Sequence, residues 1–83
     1  MLAINIKSVA GELAPGLVSG EYETTEGSTV QSLLEQSASK CGAAINPNNY
    51  KFMFLLFDGK PIQLTDKLTK SGTLHLCRIV VGG

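Results

Sequence analysis

The feature that most constrains this chain is a single helical stripe set among strand-like segments. From residue 29 to about 41, Val30, Leu33, Leu34, Ala38 and Cys41 recur at spacings of three and four, which is the apolar face of an amphipathic helix. Ser28 or Thr29 offers the N-cap, and Gly42 follows as a residue that enters the left-handed conformation without a Cβ clash. On either side the pattern changes to a period of two or to short apolar runs. Leu2, Ile4 and Ile6 alternate with Ala3, Asn5 and Lys7 over residues 2–9, and Glu21 to Thr25 reads as a second strand, antiparallel to the first. Between them lies a long connection punctuated by Gly11, Pro15-Gly16 and Gly20.

After the helix, Asn46-Pro47-Asn48-Asn49 is turn chemistry, and Lys51 to Phe57 (KFMFLLF) is a strand by length and aromatic content. Asp58-Gly59 makes a tight turn into a short strand over Lys60 to Gln63. Residues 64–72 form a connection that Leu68 anchors in the core. Thr73 to Val81 (TLHLCRIVV) is the last strand before Gly82-Gly83. The order is β-β-α-β-β-β, with no internal repeat. One helix covers one face of a sheet of four or five strands, so the second face meets water or a partner. Eighty-three residues make one domain, and a chain this short buries only about 60% of its unfolded surface.

Charge and composition exclude several functions. Seven Lys and Arg balance seven Asp and Glu, and the cations form no run, so no basic patch points to nucleic acid or a membrane surface. The longest apolar run is Phe52 to Phe57, far short of the roughly 20 residues of a span. No basic region and long apolar stretch opens the chain as a secretory signal does, and two cysteines make no disulfide framework, so a cytoplasmic protein is expected. A single Cys41–Cys77 bridge stays open at this stage. The one histidine, His75, has no nucleophile motif around it, no metal-ligand spacing is present, and the glycines make no phosphate loop. The chain is therefore expected not to be an enzyme, and to bind no metal or cofactor of its own.

What remains is the terminus. Two glycines after a β-branched strand pack nothing and extend no sheet well, but they form a thin tail whose carboxylate can enter a narrow site on another protein. Taken with the element order, the Leu56-Phe57-Asp58-Gly59-Lys60-Pro61-Ile62 segment and the Gly72-to-Gly83 ending, this resembles the β-grasp superfamily. That superfamily holds the ubiquitin-like modifiers and the small ThiS/MoaD-type sulfur carriers of thiamine and molybdopterin synthesis. Thr73-Leu74-His75-Leu76 looks like the last strand of ubiquitin. The short chain and the apolar approach Ile79-Val80-Val81 are more similar to the sulfur carriers.

The resemblance implies an α+β β-grasp fold: a mixed sheet of four to five strands with one helix on one face, in a single domain over 1–83 tailed by residues 82–83. It implies a carrier rather than a catalyst. An adenylating enzyme would use ATP to activate Gly83, with Gly82 as the slender approach, and a sulfur donor would convert the acyl-adenylate to a thiocarboxylate for an acceptor synthase subunit. In the modifier alternative the activated carboxyl acylates a lysine of a target, and a third reading is a β-grasp interaction module with an unused tail. If Leu74 and Leu76 face the helix, His75 and Cys77 stand on the open face. By resemblance to ubiquitin Phe54 and Leu56 join them, and the expected partner interface runs on through Ile79 and Val81. The competing arrangement has a segment such as residues 10–20 covering that second face.

Overall fold

The computed structural model describes residues 1–79. Five strands form one sheet: β1 Leu2–Ser8, β2 Gly20–Thr24, β3 Met53–Phe57, β4 Lys60–Ile62 and β5 Gly72–Arg78, in the spatial order β2-β1-β5-β3-β4. The first and last strands are parallel neighbours at the centre, with Ile6 opposite Leu74 and Lys7 opposite His75. All other pairings are antiparallel. The helix α1, Val30–Lys40, is the crossover element that a mixed sheet of this order requires.

Alternation decides which face meets the helix. Leu2, Ile4, Ile6, Leu74, Leu76, Met53 and Leu55 are buried, and they join Val30, Leu33, Leu34 and Ala38 of α1 in one core. The helix ends follow local chemistry. Thr29 is the N-cap, its hydroxyl accepting from the Ser32 N–H at 3.2 Å. The N–H groups of Val30 and Gln31 donate to the Asp66 and Leu64 carbonyls, so the connection after β4 satisfies donors that the first helical turn leaves free. At the other end Gly42 adopts φ +70°, and the N–H of Ala43 reaches back to the Ala38 carbonyl in a Schellman closure. Leu68, 1% exposed, plugs the connection into the core as expected.

The β3–β4 turn has φ +50° at Asp58 and +83° at Gly59, the mirror-image turn whose twist matches the flanking strands. The Asp58 carboxylate accepts from the Thr73 N–H, while its own N–H donates to the Thr73 carbonyl. These bonds lock the hairpin against the start of β5.

Several expected boundaries move. The third strand begins at Met53, not Lys51, because residues 47–52 wind into a 3-10 helix with Pro47 in its first turn and the Asn46 side chain capping the Asn48 N–H. The helix loses Thr29 and Cys41, which become its caps. The fourth strand stops at Ile62, one residue before Gln63. The last strand runs from Gly72 to Arg78, so Ile79 lies beyond it, and the expected extension through Val81 falls outside the described residues.

Candidate functional site: an open apolar sheet face

The face of the sheet away from α1 is built by the odd positions of β1 and β5 and the even positions of β3. Cross-strand register places Phe54 of β3 opposite Cys77 of β5, and Leu56 opposite His75. Leu56 in turn faces Pro61 of β4. Residues paired this way have Cβ atoms about 5 Å apart, so the four expected strand residues form one contiguous surface. Phe54 is 45% exposed, while Leu56, His75 and Cys77 are half-buried by one another. Ile79, 41% exposed, donates its N–H to the Phe52 carbonyl and carries the surface beyond the end of β5. The expected Val81, Gly82 and Gly83 lie outside the described residues.

The segment from Ala10 to Gly20 does not cover this face. Ala10, Ala14 and Leu17 are buried in the core, a 3-10 turn spans Gly11–Leu13, and the Leu13 carbonyl accepts from the Asn49 side chain. The loop therefore closes the core beside residues 47–52, on the helix side.

The open face is divided electrically. Across β5, β3 and β4 it presents Cys77, His75, Phe54, Leu56 and Pro61. On β1 and β2 the same face carries Lys7, Asn5, Ala3, Glu21 and Glu23, with Lys7 directly opposite His75. Exposed apolar side chains clustered on one side of a polar margin are the composition of an interface core and rim. Pro61 is a member the sequence left unassigned, and it is reached only through the β3–β4 register.

Below the face, at the C-cap of α1, the Tyr22 hydroxyl donates to the Val18 carbonyl and contacts the Cys41 Sγ at 3.1 Å. The hydrogen-bonding contact with the Tyr22 hydroxyl, with a backbone bond from Val18, draws the Cys41 thiol below its ordinary pKa. The bond to Cys41, with burial, pushes the Tyr22 hydroxyl up to about 12. Cys41 and Cys77 are both free. No group of three or more His, Cys, Asp or Glu among the described residues could hold a metal ion. Nor is any described helix long and apolar enough to cross a membrane.

No family model matches the chain, and no curated protein matches it. Solved structures do. A putative molybdopterin converting factor, subunit 1, from Pyrococcus furiosus superposes with a TM-score of 0.66 at 17% identity, over 96% of this chain and 100% of that one. SAMP1 from Haloferax volcanii superposes with a TM-score of 0.62 at 17% identity, over 98% and 99% of the two chains. The fold is thus the β-grasp, matched end to end by two small proteins of the same architecture.

Proposed function

We propose that this chain is a β-grasp sulfur carrier: a protein cosubstrate whose C-terminal carboxylate is loaded by a partner and discharged to an acceptor. The observation that carries the reading is the position of β5. This strand is the middle of five, its open-face residues His75 and Cys77 sit in the apolar surface, and Gly82-Gly83 follow it in the sequence after three residues. A partner that docks on the open face would receive the tail at a fixed exit point. The name of the Pyrococcus furiosus neighbour, a subunit of a molybdopterin converting factor, supports a biosynthetic rather than a purely structural task.

In the proposed cycle the docked enzyme binds ATP, and a Gly83 carboxylate oxygen attacks the α-phosphorus. The bond to the β-phosphate breaks and pyrophosphate leaves, giving an acyl-adenylate. Hydrosulfide from the donor then adds to the acyl carbon and AMP departs, leaving the thiocarboxylate. The thiocarboxylate sulfur bonds to the acceptor held by the synthase subunit, and water hydrolyses the resulting thioester, so the sulfur stays with the acceptor and the carboxylate is regenerated. Glycine at 82 and 83 leaves no side chain to obstruct the approach to nucleotide or sulfur donor. The chain itself supplies no catalytic group and no bound cofactor; ATP belongs to the partner. The docking surface is Phe54, Leu56, His75, Cys77 and Ile79, continued through Val81. Such a cycle belongs in the cytoplasm, where ATP and a reduced sulfur donor are at hand.

The test is the intact mass of the protein isolated from its own cells. Replacement of one oxygen by sulfur, mapped to the C-terminal peptide, is the expected result. Gly82-Gly83 remnants joined to lysines of other proteins would move the assignment to a modifier. A terminus unmodified in cells, and after incubation with ATP, a sulfide source and the adenylating enzyme of that organism, would overturn both.

A further inference from the structure

His75 is the only histidine of the chain, and it stands half-buried within the open face. The register sets Leu56 of β3 opposite it on one side and Lys7 of β1 on the other, each on a strand about 5 Å away. On its own strand Thr73 and Cys77 share its face, and Phe54 stands opposite Cys77. The helix packs on the other side of the sheet and brings it no charge. The acids are set apart: Glu21 and Glu23 lie on β2, beyond β1, and the Asp58 carboxylate holds the Thr73 N–H. Among the described residues the ion pair is that of Glu12 with Arg78, and none involves His75. The charge directly beside the imidazole is therefore that of Lys7, which has the sign an imidazolium would have.

We infer that His75 makes docking on the open face pH-dependent, the interface admitting the neutral imidazole and rejecting the imidazolium. The inference rests on the docking role proposed above for that face. In the free chain water reaches the ring, and either form is solvated. A partner seated on Phe54, Leu56 and Cys77 removes that water, and burying an unpaired cation is far more costly than burying a neutral ring. Lys7 adds a repulsion that water screens less as the face is covered. Docking is then linked to the loss of one proton. Affinity is complete above the imidazole range and falls as pH drops through it, by at most about tenfold per pH unit.

The experiment measures the Kd of the whole chain for the adenylating enzyme of its organism at pH 7.5 and 5.5, with the wild type and with His75→Gln. Glutamine keeps a polar, uncharged side chain at an outward position, and a native spectrum shows that the variant folds. The enzyme's own titration is common to both chains and cancels in their ratio. Relative to His75→Gln, the wild-type Kd is expected to rise about fivefold or more between the two pH values. A second measurement follows the ring by NMR in chain labelled at histidine alone, and its titration midpoint is expected to be lower in the complex than in the free chain. Equal pH dependence of the two chains, tighter wild-type docking at pH 5.5, or a ring midpoint unmoved or raised in the complex would each overturn the inference and leave docking intact. Absence of docking at both pH values would overturn the docking role, and this inference with it.

Discussion

At the scale of single residues, the glycine with the least room for a side chain among the described residues is Gly72. A Cβ there would lie 2.6 Å from the Phe57 ring and 2.7 and 2.8 Å from the Asp58 carboxylate oxygens. The Asp58 side chain cannot swing away freely, because it holds the Thr73 N–H at 2.9 Å in the lock between the hairpin and β5. Gly72→Ala is therefore expected to destabilise the chain by about 1–3 kcal/mol, the usual range for overpacking, read as a lower midpoint in urea. An unchanged midpoint would mean that the hairpin yields more easily than its hydrogen bonds suggest. Cys41 and Tyr22 give a second prediction, this one in pH. Alkylation follows the thiolate, and the Tyr22 hydroxyl is the largest influence lowering the Cys41 pKa. In a Cys77→Ser background, Tyr22→Phe is expected to move the midpoint of the iodoacetamide rate profile to higher pH, and an unmoved midpoint would remove Tyr22 as the cause. The sign for stability follows from the phenol. Its pKa in the folded chain, about 12, lies above the ordinary 10, so its contribution is complete below pH 10 and is lost as pH rises through 12.

At the scale of elements, α1 depends on chain that arrives much later in sequence. Thr29 caps the Ser32 N–H, and the Val30 and Gln31 donors are met by carbonyls of Asp66 and Leu64. Removing the side-chain cap leaves one orphan donor in a turn otherwise satisfied, so Thr29→Ala is expected to cost about 1 kcal/mol. Thermal denaturation checks this, and Thr29→Ser should recover most of the loss. The helix itself was legible in the sequence, since spacings of three and four along Val30 to Ala38 admit no strand reading, and so was the Asp58-Gly59 turn. The start of β3 was not. Lys51 and Phe52 extend an apolar run that looks like strand, but Pro47 and the Asn46 cap begin a 3-10 helix that continues to Phe52 before the backbone extends. The caps on α1 from residues 64 and 66 were also invisible, because a backbone carbonyl carries no signature of its residue type. Parity paired His75 with Cys77 and Phe54 with Leu56, but both parities of residues 51–57 are apolar, so the choice of Phe54 and Leu56 for the open face came from the resemblance to ubiquitin. Their assembly into one surface rested on a cross-strand register that periodicity alone does not fix.

At the scale of the whole molecule, the sheet separates what folds the chain from what the proposed function uses. Leu74 and Leu76 are fully buried beneath α1, while His75 and Cys77 on the same strand face outward. A domain of this size has a stability of only about 5–15 kcal/mol, and truncating a buried leucine costs about 2–5. Leu76→Ala should therefore lower the unfolding midpoint sharply and reduce every activity in proportion to the folded fraction. Phe54→Glu puts a charge on an exposed position opposite Cys77, where water can solvate it in the free protein but a docked partner cannot. Its unfolding midpoint should stay close to wild type, while adenylation by the partner enzyme falls at least tenfold through KM. Deleting Gly83 should preserve both the midpoint and docking on the open face, yet abolish loading, because the reacting carbonyl is displaced by one residue. Measuring the three variants side by side, by denaturation and by adenylate formation, resolves the roles of core, face and tail. Loss of docking in the Gly83 deletion would show that the tail supplies the affinity and that the apolar face serves another partner. Full loading of Phe54→Glu would remove the open face from the cycle.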